Sequence, residues 1–207
     1  MRKLIQQIKN LQNSKTNYLV NRRLKEFQSF SKKSEVEWFS ELCFCILAAN
    51  SKQKTAQNIQ KKLQNKLLTI SQQDLSLFIK ENKHRFHNNK AKFIIEARKF
   101  HPIKSKLSIL PETQARDFLV KNIKGIGMKE ASHFLRNTGS QNLAILDRHV
   151  LRTLYENKII KEIPKSLTSK TYIDIELKLK EIAKELNISQ AKLDLLLWFS
   201  KTGEVAK

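Results

Sequence analysis

The chain has 207 residues, with 40 lysines and arginines against 19 aspartates and glutamates, a formal net charge of +21. That length holds one or two small domains around a substantial core, and the charge calls for a polyanionic partner, nucleic acid ahead of a membrane surface. No apolar run approaches a bilayer span and no signal-type apolar segment follows the N-terminus, so no membrane partner and a cytoplasmic, nucleoid-associated location are expected.

In chain order the sequence reads as helical almost throughout, because glycine and proline are scarce and apolar residues recur at three- and four-residue spacing. Residues 2–11 form a short amphipathic stretch, and 16–30 carry Leu19, Leu24, Phe27 and Phe30 among basic residues. Ser34-Glu35-Val36-Glu37 is a capping-box pattern that starts a helix. That helix, through Trp38, Phe39, Leu42, Phe44, Ile46 and Leu47, is apolar nearly all round and is expected to be a buried central helix. Cys43 and Cys45 lie within it and point in different directions. They form no disulfide framework, and two thiols are too few for a zinc or iron–sulfur site. No metal and no cofactor are expected.

Ser51 is the expected cap of the next helix, through Thr55, Ile59 and Leu63, and Ser71 begins another. Residues 83–92 are polar and basic, and a helix follows through Phe93, Ile94 and Ala97. The span 101–111, bounded by Pro102 and Pro111, reads as loop. Helices are then expected over 113–121, 128–137, 147–157 with Asp147 at its N-cap, about 168–186, and 190 to about 201. No alternating strand pattern occurs, so the fold class is all-α.

Only four glycines occur, and Gly125 and Gly127 flank a single isoleucine between two of these helices. Glycine there permits a tight turn with unusual backbone angles, or close approach of a ligand to the backbone. The free N–H groups and dipole of the second helix make an anion site, with Lys121, Lys124 and Lys129 around it. On the two glycines alone, a plain helix–helix corner, common in all-α proteins, is the favoured explanation. Lys129 sits in the first helical turn, where the dipole disfavours an ammonium and favours the neutral amine, which is a nucleophile able to form a Schiff base. Asp147 is a candidate to stabilise an oxocarbenium-like sugar or to move protons. Each has a plainer alternative, a solvated surface lysine and an N-cap; their conjunction argues for a site.

That conjunction resembles the helix-hairpin-helix DNA glycosylase superfamily. The matching residues are Val120, then Ile123-Lys124-Gly125-Ile126-Gly127, Lys129 and Ala131, followed by Leu146-Asp147-Arg148-His149-Val150-Leu151-Arg152. The resemblance implies base excision: the damaged nucleotide is flipped out, the glycosidic bond is cut, and Lys129 forms a covalent imine that permits strand cleavage by β-elimination. Ala48-Ala49-Asn50-Ser51 looks like the segment that fills the space of the flipped base, with Asn50 facing the orphan cytosine. His87-Asn88-Asn89-Lys90-Ala91-Lys92 looks like the loop that wedges the stack, which implies DNA contacts for Asn89 and Lys90 besides Gly125, Gly127 and Lys124.

The cysteines of the iron–sulfur branch have no counterparts, and the chain has neither the length nor the strands of the type-1 8-oxoguanine enzymes. It is most similar to the compact type-2 8-oxoguanine DNA glycosylase/AP lyase family. By that resemblance Trp198 stacks on the flipped base, Asp194 reads the guanine N1–H and N2–H edge, His133 forms the opposite wall, and Lys207 at the C-terminus reaches the base. The implied architecture is two helical subdomains, residues 34–138 and residues 1–33 with 139–207, with a cleft where Lys129 and Asp147 meet. The expected function is a bifunctional glycosylase/AP lyase excising 8-oxoguanine from duplex DNA, as a monomer. The alternatives are the same chemistry on another oxidised base, and a non-catalytic helix-hairpin-helix module that only grips DNA.

Overall fold

The computed structural model describes residues 1–205, all helix, turn and irregular chain with no strand among them. In chain order the helices are α1 (Arg2–Gln12), α2 (Lys15–Ser29), α3 (Glu35–Ala48), α4 (Gln53–Leu63), α5 (Gln72–Glu81), α6 (His87–Ala97), α7 (Ile103–Leu107), α8 (Glu112–Asn122), α9 (Met128–Asn137), α10 (Arg148–Glu156), α11 (Ser169–Glu185) and α12 (Gln190–Thr202). No helix among the described residues is long and apolar enough to cross a membrane.

The chain divides into two compact units, residues 30–138 and residues 1–29 with those from 139 onward. Residues 30–33, expected with the second group, fall in the first. Trp38 Nε1 donates to the carbonyl of Phe30 at 3.0 Å, which draws the 3₁₀ turn Phe30–Lys32 against α3.

In the unit 30–138, α3 is the buried axis, with α4, α6, α7 and α9 packed on it. Its start is the capping box: Glu37 N–H donates to Ser34 Oγ at 3.3 Å and Ser34 N–H donates to Glu37 Oε2 at 2.9 Å. Trp38, Phe39, Leu42, Phe44, Ile46 and Leu47 are all buried, each contributing on the order of 1.5–3 kcal/mol by leaving water. The acidic side chain of Glu41, on the same helix, is buried with them. Glu41 Oε1 accepts from Asn137 Nδ2 at 2.6 Å, Glu41 Oε2 accepts from Gln60 Nε2 at 3.2 Å, and Arg136 Nη2 donates to Asn137 Oδ1 at 2.9 Å. A buried carboxylate is tolerated only with such partners. Here they fix the C-terminal end of α9 to α3, and Phe134 packs edge-on against Trp38 with ring centroids 5.8 Å apart.

Two local expectations change. Ser51 does not cap α4: the N-cap is Lys52, with no side-chain bond, and Ser51 N–H is turned back to the carbonyl of Ala48 at 3.1 Å. The span 101–111 is not all loop, since α7 forms within it and buries Ile103 and Leu107.

In the other unit, α12 packs against α1, α2, α10 and α11. The irregular segment that leads into α10 is held by polar clamps. Tyr172 Oη donates to the carbonyl of Ala144 at 2.8 Å and accepts from Leu146 N–H at 3.2 Å; Glu176 Oε1 accepts from Ala144 N–H at 2.8 Å; Gln190 Nε2 donates to the carbonyl of Asn142 at 2.5 Å. Buried backbone needs such partners when no helix or strand supplies them, and the effect is to fix the approach to Asp147.

Candidate active site

In the unit 30–138 the site is built on the α8–α9 hairpin. Gly125 has φ +82°, a conformation that side chains disfavour, and a Cβ there would lie 2.5 Å from Phe93 Cδ2. Phe93 comes from α6, so that helix floors the turn. Gly127 is different: it is the N-cap of α9 with extended φ −102°, open to any residue. A Cβ on Gly127 would meet only Glu130 Oε2, at 3.4 Å. The unusual backbone angle expected of the pair is therefore needed at Gly125 alone. Both glycines are exposed, and as N-cap Gly127 has no side chain to occupy the free N–H groups that open α9.

Lys129 is the second residue of α9 and is half-buried, with Nζ 3.3 Å from Glu130 Oε1. His133 follows one turn later, half-buried, its ring edge-on to Phe44 at 5.7 Å. Lys124 is exposed and pairs with Glu96 Oε2 at 3.1 Å.

Asn50 is exposed, with φ +58°. Asparagine is among the few residues that take this left-handed conformation readily. The segment 87–92, expected to be a loop, is the start of α6. Asn88 and Asn89 are exposed there, and Ser76 Oγ donates to Asn88 Oδ1 at 2.6 Å. Lys90 corrects the sequence reading. It is buried, 5 % exposed, and its Nζ donates to the carbonyl of Ile46 at 2.7 Å, so it does not face a DNA backbone. Burial pulls its ammonium down to about 8, with the Lys129 charge adding to the shift and Glu130 opposing it. His84 is buried beside it, and its Nε2 meets the carbonyl of Leu47 at 2.8 Å. Phe86 N–H donates to Nδ1 at 3.3 Å, so the proton sits on Nε2 in a neutral ring, and burial lowers the basicity of that ring.

In the other unit Asp147 is the N-cap of α10, half-buried, its Oδ1 accepting from Val150 N–H at 2.8 Å. The α10 and α12 helices bring His149 and Trp198 together, rings edge-on at 5.2 Å and 84°. Trp198 is half-buried, and its indole Nε1 finds no hydrogen-bond partner among the described residues. Asp194, one turn earlier, is half-buried at the edge of a cavity of ≈ 10 Å³ lined also by Val150, Leu179 and Leu197. That space is about one water in size, too small for a base. Lys207 lies outside the described residues.

Sequence reasoning missed His84, Lys90, Phe93, Glu130, Tyr172 and Glu176 as supports. The Gly-x-Gly pattern could have pointed to a close neighbour of Gly125. Nothing local marks the others, whose roles depend on what the fold brings to them.

Comparison with known proteins gives consistent results. The family model described as 8-oxoguanine DNA glycosylase matches residues 20–188. The 8-oxoguanine DNA glycosylase/AP lyase of Methanocaldococcus jannaschii is 47% identical over 205 residues, covering 99% of both chains. Its crystal structure in complex with a 15mer DNA containing 8-oxoguanine matches with a TM-score of 0.97 over 99% of this chain and 100% of that one. The crystal structure of the 8-oxoguanine DNA glycosylase of Thermotoga maritima matches with a TM-score of 0.94 at 37% identity, over 100% of this chain and 99% of that one.

Proposed function

The chain belongs to the 8-oxoguanine DNA glycosylase family, and from that premise we propose that it is a bifunctional glycosylase and AP lyase that excises 8-oxoguanine from duplex DNA. The observation that carries this reading is a half-buried primary amine, Lys129, in the first turn of a helix that opens on exposed Gly127 with unoccupied backbone donors. The donors and the exposed lysine at 124 suit a phosphate backbone.

The chemistry follows from the amine. Neutral Lys129 Nζ attacks C1′ of the flipped nucleotide, and the bond from C1′ to the base nitrogen breaks with its electron pair leaving on the base, which takes up a proton. The sugar ring opens to an imine between Nζ and C1′. Loss of a C2′ proton then expels the 3′ phosphate, which nicks the strand. Positive charge develops on the sugar as the base departs. The Asp147 carboxylate answers it, already oriented by its bond to Val150 N–H.

Base recognition is assigned to Trp198 by stacking, to Asp194 as acceptor from guanine N1–H and N2–H, to His133 as a wall, and to Lys207. The half-buried Trp198 indole and the edge contact that His149 gives it support the stacking role. Asn50 and Asn89 address the strand opposite the lesion; Lys90 has no direct part in that contact.

Borohydride trapping tests the reading. Native protein should give a covalent adduct with a duplex holding 8-oxoguanine opposite cytosine. Lys129→Gln should give none while binding that duplex within a few-fold of native. Weak action on this duplex beside strong action on thymine glycol would move the substrate to oxidised pyrimidines. No adduct with any lesion would leave a DNA-gripping module.

A further inference from the structure

The end of α3 is closed in an unusual way. A helix whose C′ residue is left-handed usually returns the next backbone N–H groups to the carbonyls two and three residues inside the helix end. Here Asn50 is that left-handed residue and the two carbonyls are those of Leu47 and Ile46. That closure is not available here, because the C-cap Ala49 is extended at φ −59°, ψ 119°, and the two carbonyls accept from side chains: Leu47 from His84 Nε2 at 2.8 Å and Ile46 from Lys90 Nζ at 2.7 Å. Ser51 N–H goes instead to Ala48 at 3.1 Å. The two carbonyls that this turn leaves open are thus capped by two buried polar side chains.

Lys90 has a second connection. It directly follows Asn88 and Asn89 in the first turn of α6, the helix that also places Phe93 under Gly125. A bond from Lys90 to Ile46 therefore joins the start of α6 to the turn at Asn50. Burying an ammonium to make that bond is unfavourable unless the arrangement is needed.

We propose that Lys90 is a positioning residue that locks the Asn50 turn to the Asn88–Asn89 turn, so that the strand opposite the lesion meets one pre-set surface. This rests on the reading of Asn50 and Asn89 given under the proposed function. Lys90 touches neither DNA nor Lys129's target. It acts by capping Ile46 O, which ties the end of α3 to the first turn of α6. Without it, the Ile46 carbonyl loses its donor and the turn at Asn50 is no longer tied to α6.

The test compares Lys90→Met, Lys90→Arg, Asn50→Ala and the Asn50→Ala/Lys90→Met double variant, all as the full chain below their melting temperatures. Two substrates separate the roles: duplexes with 8-oxoguanine opposite cytosine or adenine, and a single-stranded oligonucleotide with a pre-formed abasic site, which has no opposite strand. Lys90→Met should excise from the cytosine duplex on the order of tenfold more slowly, the scale of a small misplacement. It should also discriminate less between the two opposite bases, yet cleave the single-stranded site within about twofold of native. Lys90→Arg, which retains a donor, should recover most of the loss. The double variant should be no worse than Asn50→Ala, because both changes act through one turn.

Native excision and discrimination by Lys90→Met overturn the inference, as do an equal loss on the single-stranded site or penalties that multiply in the double variant. Should Lys90→Met fail to fold, Lys90→Gln takes its place with the same expectations. A native-like Asn50→Ala overturns the Asn50 assignment itself. A defective Asn50→Ala beside an unimpaired Lys90→Met overturns only the role of Lys90.

Discussion

Lys129 Nζ and Glu130 Oε1 stand 3.3 Å apart, an ion pair between neighbours in one helix with both partners reaching solvent. Pairs of this kind contribute at most about 1 kcal/mol to stability. The amine can therefore be replaced without unfolding the hairpin. Lys129→Arg keeps the pair and the charge, yet guanidinium stays protonated and cannot form the imine. Its melting temperature should stay within about 3 °C of native, while strand cleavage and the borohydride adduct disappear. A trapped adduct on Lys129→Arg would show that another amine is the nucleophile.

Asp147 has two separable duties. As N-cap it accepts from Val150 N–H at 2.8 Å, and asparagine caps equally well. Asp147→Asn should thus melt like the native protein and bind damaged duplex with similar affinity. Single-turnover excision should fall by roughly two to three orders of magnitude through loss of the negative charge. Asp147→Ala should add a stability loss of about 1 kcal/mol from the missing cap. Equal excision rates for the aspartate and asparagine forms would remove the electrostatic role.

The burial of Lys90 makes stability depend on alkaline pH. Burial holds the folded ammonium near 8, below its ordinary 10.5. Beneath pH 8 both folded and unfolded chains carry the proton, and the folded state bears the full penalty of the buried charge. Between 8 and 10.5 the folded chain has released a proton that the unfolded chain still binds, so stability rises with pH. Relative to Lys90→Met, the native chain should gain about 2 kcal/mol in denaturant unfolding between pH 7 and pH 10. The other lysines titrate in both proteins and cancel in the difference. A constant difference across that range would refute the shift.

Gly125 should tolerate nothing larger. Gly125→Ala places a Cβ in a left-handed residue and drives it into Phe93, which should lower stability by about 2 kcal/mol or more. Phe93→Leu in the same chain should relieve the collision but leave the backbone penalty. The loss in the double variant should therefore be smaller than the sum of the single losses, as read by denaturant unfolding.

Much of this fold is legible locally. Ser34 and Glu37 announce the start of α3 because the capping box lies within four residues, and Asp147 announces α10 in the same way. The apolar surface of α3 reveals that it is buried on every side. The hairpin and the Asp-Arg-His-Val sequence stand out through composition and spacing. What is hidden depends on distant partners. Lys90 sits among asparagines and basic residues and reads as a solvated contact. Only the end of α3, far away in sequence, makes it a buried donor. Ser51 looks like a cap, but it closes the turn from Ala48 and sits one residue ahead of the actual N-cap, Lys52. The short α7 escapes because two prolines bracket it.

The Glu41 carboxylate, Gln60, Arg136 and Asn137 form a set whose members have no independent future. Removing a charged member, Glu41 or Arg136, strands buried partners at a loss of about 3–5 kcal/mol, whereas exchanging the whole set for well-fitted apolar residues is near neutral. In a population under selection for folded protein, single changes at these positions would be purged one by one. The quartet would pass between lineages intact or be replaced as a block.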